Sequence, residues 1–173
     1  EGDKVQYDYD SRGNLTTTTR KAKTGSPLAD IVTSAGYDTT CTNVATCNSP
    51  NWTKEGRNNQ TDYTYGRATG LLLTVTGPAA PNGERPQARY AYSTVAGVKV
   101  VTATSICATG QANDTPSCVR TADETKNTLV YDNNLNLTSA TIASGETVPS
   151  VSATTTATYD AVGNLLAVDG PLL

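Results

Sequence analysis

The residues best placed to do chemistry in this chain are its four cysteines, Cys41, Cys47, Cys107 and Cys118, which fall in two close pairs. A zinc centre would need thiolates or imidazoles at tetrahedral spacing. Both gaps are wider than the usual C-x₂₋₄-C, and the chain has no histidine to complete a mixed site. The reading preferred over zinc or free thiols is two local disulfides, each stapling an irregular excursion from a sheet, because the count is even and the context loop-rich. Loops this short are stabilised by roughly 2–3 kcal/mol each on the chain-entropy account.

Other chemistry is sparse. Without histidine the usual general base and triad centre are missing, so a cysteine nucleophile would lack its partner. The acidic pair Asp123-Glu124 sits among Thr and Lys and reads as a solvated loop. Gly66-x₃-Gly70 lacks the lysine and the following helix of a phosphate loop. Asp132-Asn133-Asn134 suggests a calcium turn but has no bidentate glutamate at the required distance. Asn-x-Thr triplets at Asn14, Asn51, Asn59, Asn113 and Asn136 follow from a composition rich in both residues, and matter only in a host that glycosylates exported proteins. The sequence therefore implies no cofactor, no metal and no catalysis.

The positioning elements are strands. Thr, Val and Tyr favour extended structure, long Leu/Glu/Lys helical runs are absent, and the chain has no Phe, no Met and a single Trp. Only 36% of the 173 residues are hydrophobic, which raises disorder as a rival. Ordered alternating runs and a net charge of only −3 argue against it. That charge supplies no basic face for nucleic acid and no polybasic cluster for membranes, and no run approaches transmembrane length. A Met-free chain beginning at Glu1 is expected of a piece processed from something longer.

Repetition is the dominant signal. Tyr9-Asp10-Ser11-Arg12-Gly13-Asn14-Leu15 near one end matches Tyr159-Asp160-Ala161-Val162-Gly163-Asn164-Leu165 near the other. Each reads as a hairpin tip: Asp accepts the backbone N–H two residues on, and Gly supplies a positive φ and a bulge. Tyrosines ending alternating runs stand at Tyr9, Tyr37, Tyr65, Tyr92, Tyr131 and Tyr159, spaced 28, 28, 27, 39 and 28 residues apart. The long step holds an insertion of about eleven residues, bracketed by Cys107 and Cys118. Tyr37-Asp38 leads into the first cysteine stretch, which also holds Trp52. Tyr65 to Leu71 is a tip with one extra residue before Gly70, and Glu55 to Asn59 reads as another tight turn. At Tyr131-Asp132 the glycine position holds Leu135, so that turn must differ or be strained. The expected fold is all-β: residues 1–173 as a single array of repetitive antiparallel hairpins, about five periods of roughly 28 residues, in one long twisted sheet.

The Tyr-Asp-x-x-Gly-Asn-Leu pattern at 9–15 and 159–165, with degenerate copies at 65–71 and 131–137, resembles the YD repeat of the Rhs family. Asp62-Tyr63-Thr64-Tyr65 and Leu73-Thr74-Val75-Thr76-Gly77-Pro78 resemble the strands between such motifs. That family is similar to bacterial toxin-complex shells and to teneurins. The resemblance implies hairpins joined into a sheet that spirals into a hollow shell around a toxic domain, or a surface adhesion protein. About five periods are too few to close such a shell, and no autoprotease segment is present from which to carry over cleavage residues. The cysteine loops are additional to the pattern and imply export from a bacterial cell.

The leading expectation is a structural wall element of a secreted or surface-bound shell, partnered by the rest of a longer chain and an enclosed toxin domain. A second is a self-assembling extracellular filament joined through unpaired strand edges. A third is an adhesin or glycan-binding surface built on the Tyr and Thr stripes, which otherwise read as stacked cross-strand pairs.

Overall fold

A computed structural model describes residues 4–108 and 118–171, as two compact units, Glu1–Ala79 and Ala80–Leu173. The first contains β1 (Val5–Tyr9), β2 (Leu15–Arg20), β3 (Ile31–Gly36), β4 (Trp52–Lys54), β5 (Gln60–Tyr65) and β6 (Leu72–Thr76). The second contains β7 (Gln87–Val95), β8 (Val98–Cys107), β9 (Glu124–Tyr131), β10 (Leu137–Ser144), β11 (Ser152–Tyr159) and β12 (Leu165–Asp169). Within each unit the strands pair antiparallel in chain order, a plain meander. Among the described residues there is no helix. The structure is the all-β hairpin array expected from composition and turn spacing.

Alternation gives each unit two chemically different faces. In the first, Tyr7 opposes Thr18 and Thr18 opposes Thr33, while Arg20 lies between Val5 and Ile31. Tyr63 faces Val75 on that same side. The reverse side carries Asp8, Thr17 and Ser34 in line. In the second unit Ile142 lies between Asn127 and Ala153, and Ala140 between Leu129 and Thr155. Thr128, Thr141 and Thr154 form a row on the reverse side. Hydroxyl pairs stitch this polar side: Thr64 to Thr74 at 2.7 Å and Thr141 to Thr154 at 2.8 Å.

Burial is correspondingly thin. The buried apolar side chains among the described residues are Cys47, Cys107 and Cys118, joined by three polar ones, Thr19, Gln87 and Glu124. Ladder hydrogen bonds, cross-strand contacts and disulfides do much of what a hydrophobic core does in a two-layer domain.

Several boundaries differ from the sequence reading for physical reasons. Trp52 belongs to strand β4, not to the irregular stretch, because Trp52–Lys54 pairs with both β3 and β5. Tyr92 does not end its strand: β7 continues to Val95 and turns at Ala96-Gly97, both with positive φ (47° and 82°). What Tyr92 marks is a bulge, the register shift between Ala91 and Tyr92. Glu124 begins β9 and is 3% exposed, so Asp123-Glu124 is not a solvated pair. At the longer tip Leu72, not Leu71, pairs with Tyr65 and opens β6, since the extra residue pushes the strand start on by one. Most of the insertion between Cys107 and Cys118, including Asn113, lies outside the described residues.

Candidate functional site

Three tips share one hydrogen-bond pattern. Asp10 Oδ1 accepts the backbone N–H of Arg12 and of Asn14, both at 2.9 Å, and its Oδ2 accepts the Asn14 amide at 2.8 Å. Asp132 does the same with Asn134 and Asn136, at 2.8, 2.9 and 3.0 Å. Asp160 does so with Val162 and Asn164, at 3.0, 2.8 and 2.8 Å. The fourth residue donates to the aspartate carbonyl at 3.1 Å in every copy. That residue has positive φ: 82° at Gly13, 90° at Gly163 and 68° at Leu135. The turn at Leu135 therefore does not differ; leucine is held in the left-handed region by the same carboxylate network.

This arrangement predicts opposite effects at equivalent positions. A Cβ at Gly163 meets nothing closer than Asn136 Oδ1 at 3.6 Å, so Gly163→Val is penalised by backbone conformation alone. It is expected to destabilise by about 1–2 kcal/mol, and Leu135→Gly to recover up to about 1 kcal/mol. Denaturant unfolding of both variants checks this; an unchanged midpoint for Gly163→Val would refute the turn assignment.

Acid should loosen the tips. Asparagine side-chain donors, aided by backbone N–H groups, hold the Asp10, Asp132 and Asp160 carboxyls below their ordinary value near 3.8. A depressed carboxylate stabilises the fold above its unfolded pKa and loses that contribution as pH falls through the folded one. Stability should thus fall as pH drops below about 4. Asp160→Asn keeps an Asx-type acceptor but removes the titration, so melts between neutral and strongly acid pH should show a shallower acid decline than the parent. A decline of equal steepness would contradict this role.

Past each tip a bulge re-aims the outgoing strand. Tyr9 pairs with Leu15, Tyr131 with Leu137 and Tyr159 with Leu165, each beside a register shift. Where the bulged residue is threonine, its hydroxyl caps the opposite strand: Thr16 to the Asp8 carbonyl at 3.0 Å, Thr138 to the Val130 carbonyl at 3.1 Å. The motif tyrosines then reach back to the preceding tip. Tyr37 donates its hydroxyl to the Leu15 carbonyl at 3.2 Å, and Tyr159 to the Leu137 carbonyl at 3.0 Å, both 22 residues upstream. Tyr65 donates instead to the Pro50 carbonyl at 3.1 Å, and burial pushes its hydroxyl pKa up.

Two copies escape a count based on tyrosine. Glu55 Oε1 accepts the Asn59 amide at 2.6 Å and its backbone N–H at 3.4 Å, with Asn58 at φ 66°. Ala80 to Glu84 repeats the main-chain bonds, Ala80 N to Glu84 O at 2.7 Å and Gly83 N to Ala80 O at 2.8 Å, without any acid at the first position. The first is the tight turn expected at Glu55 to Asn59, and its acid followed four residues later by asparagine matches the Asp10–Asn14 spacing.

The 37–51 loop takes the place of a tip at Tyr37-Asp38. Asp38 accepts from Thr40 and Thr42, and a disulfide joins Cys41 to Cys47. The loop is clasped from both sides. Arg12, a variable position of the first tip, donates to the carbonyls of Asp38, Thr39 (3.2 Å) and Cys47 (3.4 Å) and to Asn48 Oδ1 (3.3 Å). Asn14 also reaches Asn48, at 3.2 Å. On the other flank Asn43 donates to the Arg67 carbonyl at 2.8 Å, and Gly70 lies so close that a Cβ would stand 2.5 Å from the Ala45 carbonyl oxygen.

In the second unit Cys107 is joined to Cys118, and Glu124 lies opposite Cys107 in the ladder. The Glu124 carboxylate accepts from the Ser105 hydroxyl and from the Arg120 backbone N–H, at 2.6 Å for the latter. Gly145 gives it room: a Cβ there would lie 2.1 Å from Glu124 Oε2.

The motif residues at 9–15, 131–137 and 159–165 form one recurring unit, whereas Tyr37-Asp38 leads into the disulfide loop, the Tyr65–Gly70 turn closes through Gly66 instead of an aspartate, Leu71 precedes its strand and Tyr92 marks a bulge. Asn14, Asn59 and Asn136 use their amides inside the tips, so these triplets are structural in the folded chain. Among the described residues no group of three or more His, Cys, Asp or Glu is arranged to hold a metal ion.

No protein-family model and no curated protein sequence matches the chain. Solved structures do match, among them one titled "Crystal Structure of TcdB2-TccC3". It is 18% identical, with a TM-score of 0.43, over 92% of this chain and 9% of that one. The chain spans under a tenth of the length of that neighbour.

Proposed function

We propose that this chain is a non-catalytic structural repeat segment of an exported or cell-surface bacterial protein of the Rhs/YD-repeat type, a stretch of shell wall around a toxic domain. The observation that carries the reading is the recurrence in both units of one tip, one bulge and one tyrosine-to-leucine-carbonyl bond. A repeat whose conspicuous polar residues serve its own turns is suited to building a wall. Two disulfides fit maturation in an oxidising compartment. Its partners are then the remainder of the parent chain and the enclosed domain, with no nucleic acid and no membrane insertion. Electron microscopy of native material, with the intact precursor mass, tests this. A long chain carrying many more Tyr-Asp copies in hollow particles is expected; a native product of 18.0 kDa alone would refute it.

A second reading, an extracellular filament of identical subunits, is favoured by the terminal strands. Every residue of β1 and β12 is exposed, and among the described residues each of these strands pairs with one neighbour, an arrangement that pairing with another copy would extend. Ordered polymers that dissolve into 18.0 kDa subunits under denaturing conditions are its expected result, and a monodisperse monomer would refute it.

A further inference from the structure

At the end of the first unit opposite the Asp10 tip, β1, β2, β3 and the 21–30 loop line a concavity of about 590 Å³. Its floor is apolar and open: Leu28 is 75% exposed, Ile31 55% and Val5 39%. Its walls are basic. Lys4, Arg20, Lys21 and Lys23, four of the chain's thirteen Lys and Arg, line it, although the net charge is −3. Arg20 stands between Val5 and Ile31 in the cross-strand register, a cation set within the apolar floor. Among the described residues the one ion pair here is Lys21 with Asp30, at 2.9 Å.

The wall is held by its own bonds. Lys21 N donates to the Lys4 carbonyl at 2.9 Å, Ala22 N to Asp30 Oδ1 at 2.8 Å, and Leu28 N to the Ser26 hydroxyl at 3.1 Å. Asp30 therefore neutralises one lysine while it shapes the loop, and Lys4, Arg20 and Lys23 line an apolar hollow of small-ligand size.

We propose that this concavity binds a single-chain amphipathic anion of the fatty-carboxylate class, with its head group at Arg20 and the flanking lysines and its hydrocarbon chain along Leu28 and Ile31. Guanidinium and ammonium groups recognise the carboxylate, and the exposed aliphatic surface gains by covering the chain. The site is independent of the shell-wall reading.

The test is calorimetry on the full chain with dodecanoate below its micellar concentration, against acetate and the uncharged dodecyl maltoside. One dodecanoate per chain is expected, bound about tenfold or more tightly than dodecyl maltoside, with no saturable acetate binding and with weakening as salt is raised. Lys23→Glu and Leu28→Asp, both at exposed positions, should each weaken dodecanoate binding by about tenfold while leaving the melting temperature unchanged. Equal affinity for dodecyl maltoside would reduce the site to a generic apolar patch. Saturation by acetate would reduce it to an anion site, and binding confined to anionic vesicles would make it a membrane-facing surface. Any of these, or indifference to both substitutions, overturns the proposal.

Discussion

Replacing Gly36 with alanine should unseat Trp52 and loosen the middle of the first unit. Gly36 and Trp52 are directly paired across β3 and β4, and the indole lies flat against the space a side chain would need. A Cβ built at Gly36 falls 2.2 Å from Cε2 and Nε1 of the ring and 2.5 Å from Cζ2. No aromatic ring can absorb that overlap in place, so Trp52 must turn out. The consequence spreads because β4 is three residues long and pairs with both β3 and β5. Lys54, 5.5 Å from the indole centroid, loses its cation–π contact as well. A loss of about 2–3 kcal/mol is expected. Trp52 is the chain's single tryptophan, so its emission reports this site directly and should shift to the red. In a Trp52→Thr background the same glycine substitution should be nearly neutral, a coupling that a double-mutant cycle reads. Unchanged emission and stability in Gly36→Ala would refute the packing.

Opening the disulfides should be the other large effect. In most domains a cross-link supplements a core; here Cys107, Cys118 and Cys47 are the buried apolar side chains among the described residues. Converting Cys107 and Cys118 together to alanine is expected to lower stability by roughly 3 kcal/mol, and Cys41 with Cys47 by roughly 2 kcal/mol, in the order of loop length. Denaturant unfolding of the two double variants measures this. Hydrogen exchange should add a local signature. Without Cys41–Cys47, protection should fall across 38–48 and at the flanking tips that Arg12, Asn14 and Asn43 tie to the loop. Equal stabilities across parent and variants would show that the ladders alone sustain the fold.

The all-β class and the hairpin tips at 9–15 and 159–165 are legible along the chain, because each tip closes within five residues. Asp10, Gly13 and Asn14 satisfy one another whatever surrounds them, and the same holds at Asp160. Even Leu135, in a backbone region that favours glycine, keeps the turn, since the local carboxylate network outweighs its strain. Tertiary structure decided everything that depends on partners distant in sequence. Trp52 is a strand residue because Gly36 leaves room for its ring, and Glu124 is buried because Ser105, Arg120 and Gly145 receive it. The tyrosines look in sequence like ends of strands. In the structure Tyr37 and Tyr159 bind the carbonyl of the preceding tip 22 residues back, a distance at which no local pattern specifies a partner. The basic hollow is likewise invisible along the chain, since Lys4, Arg20 and Leu28 meet only when three strands and a loop are folded together.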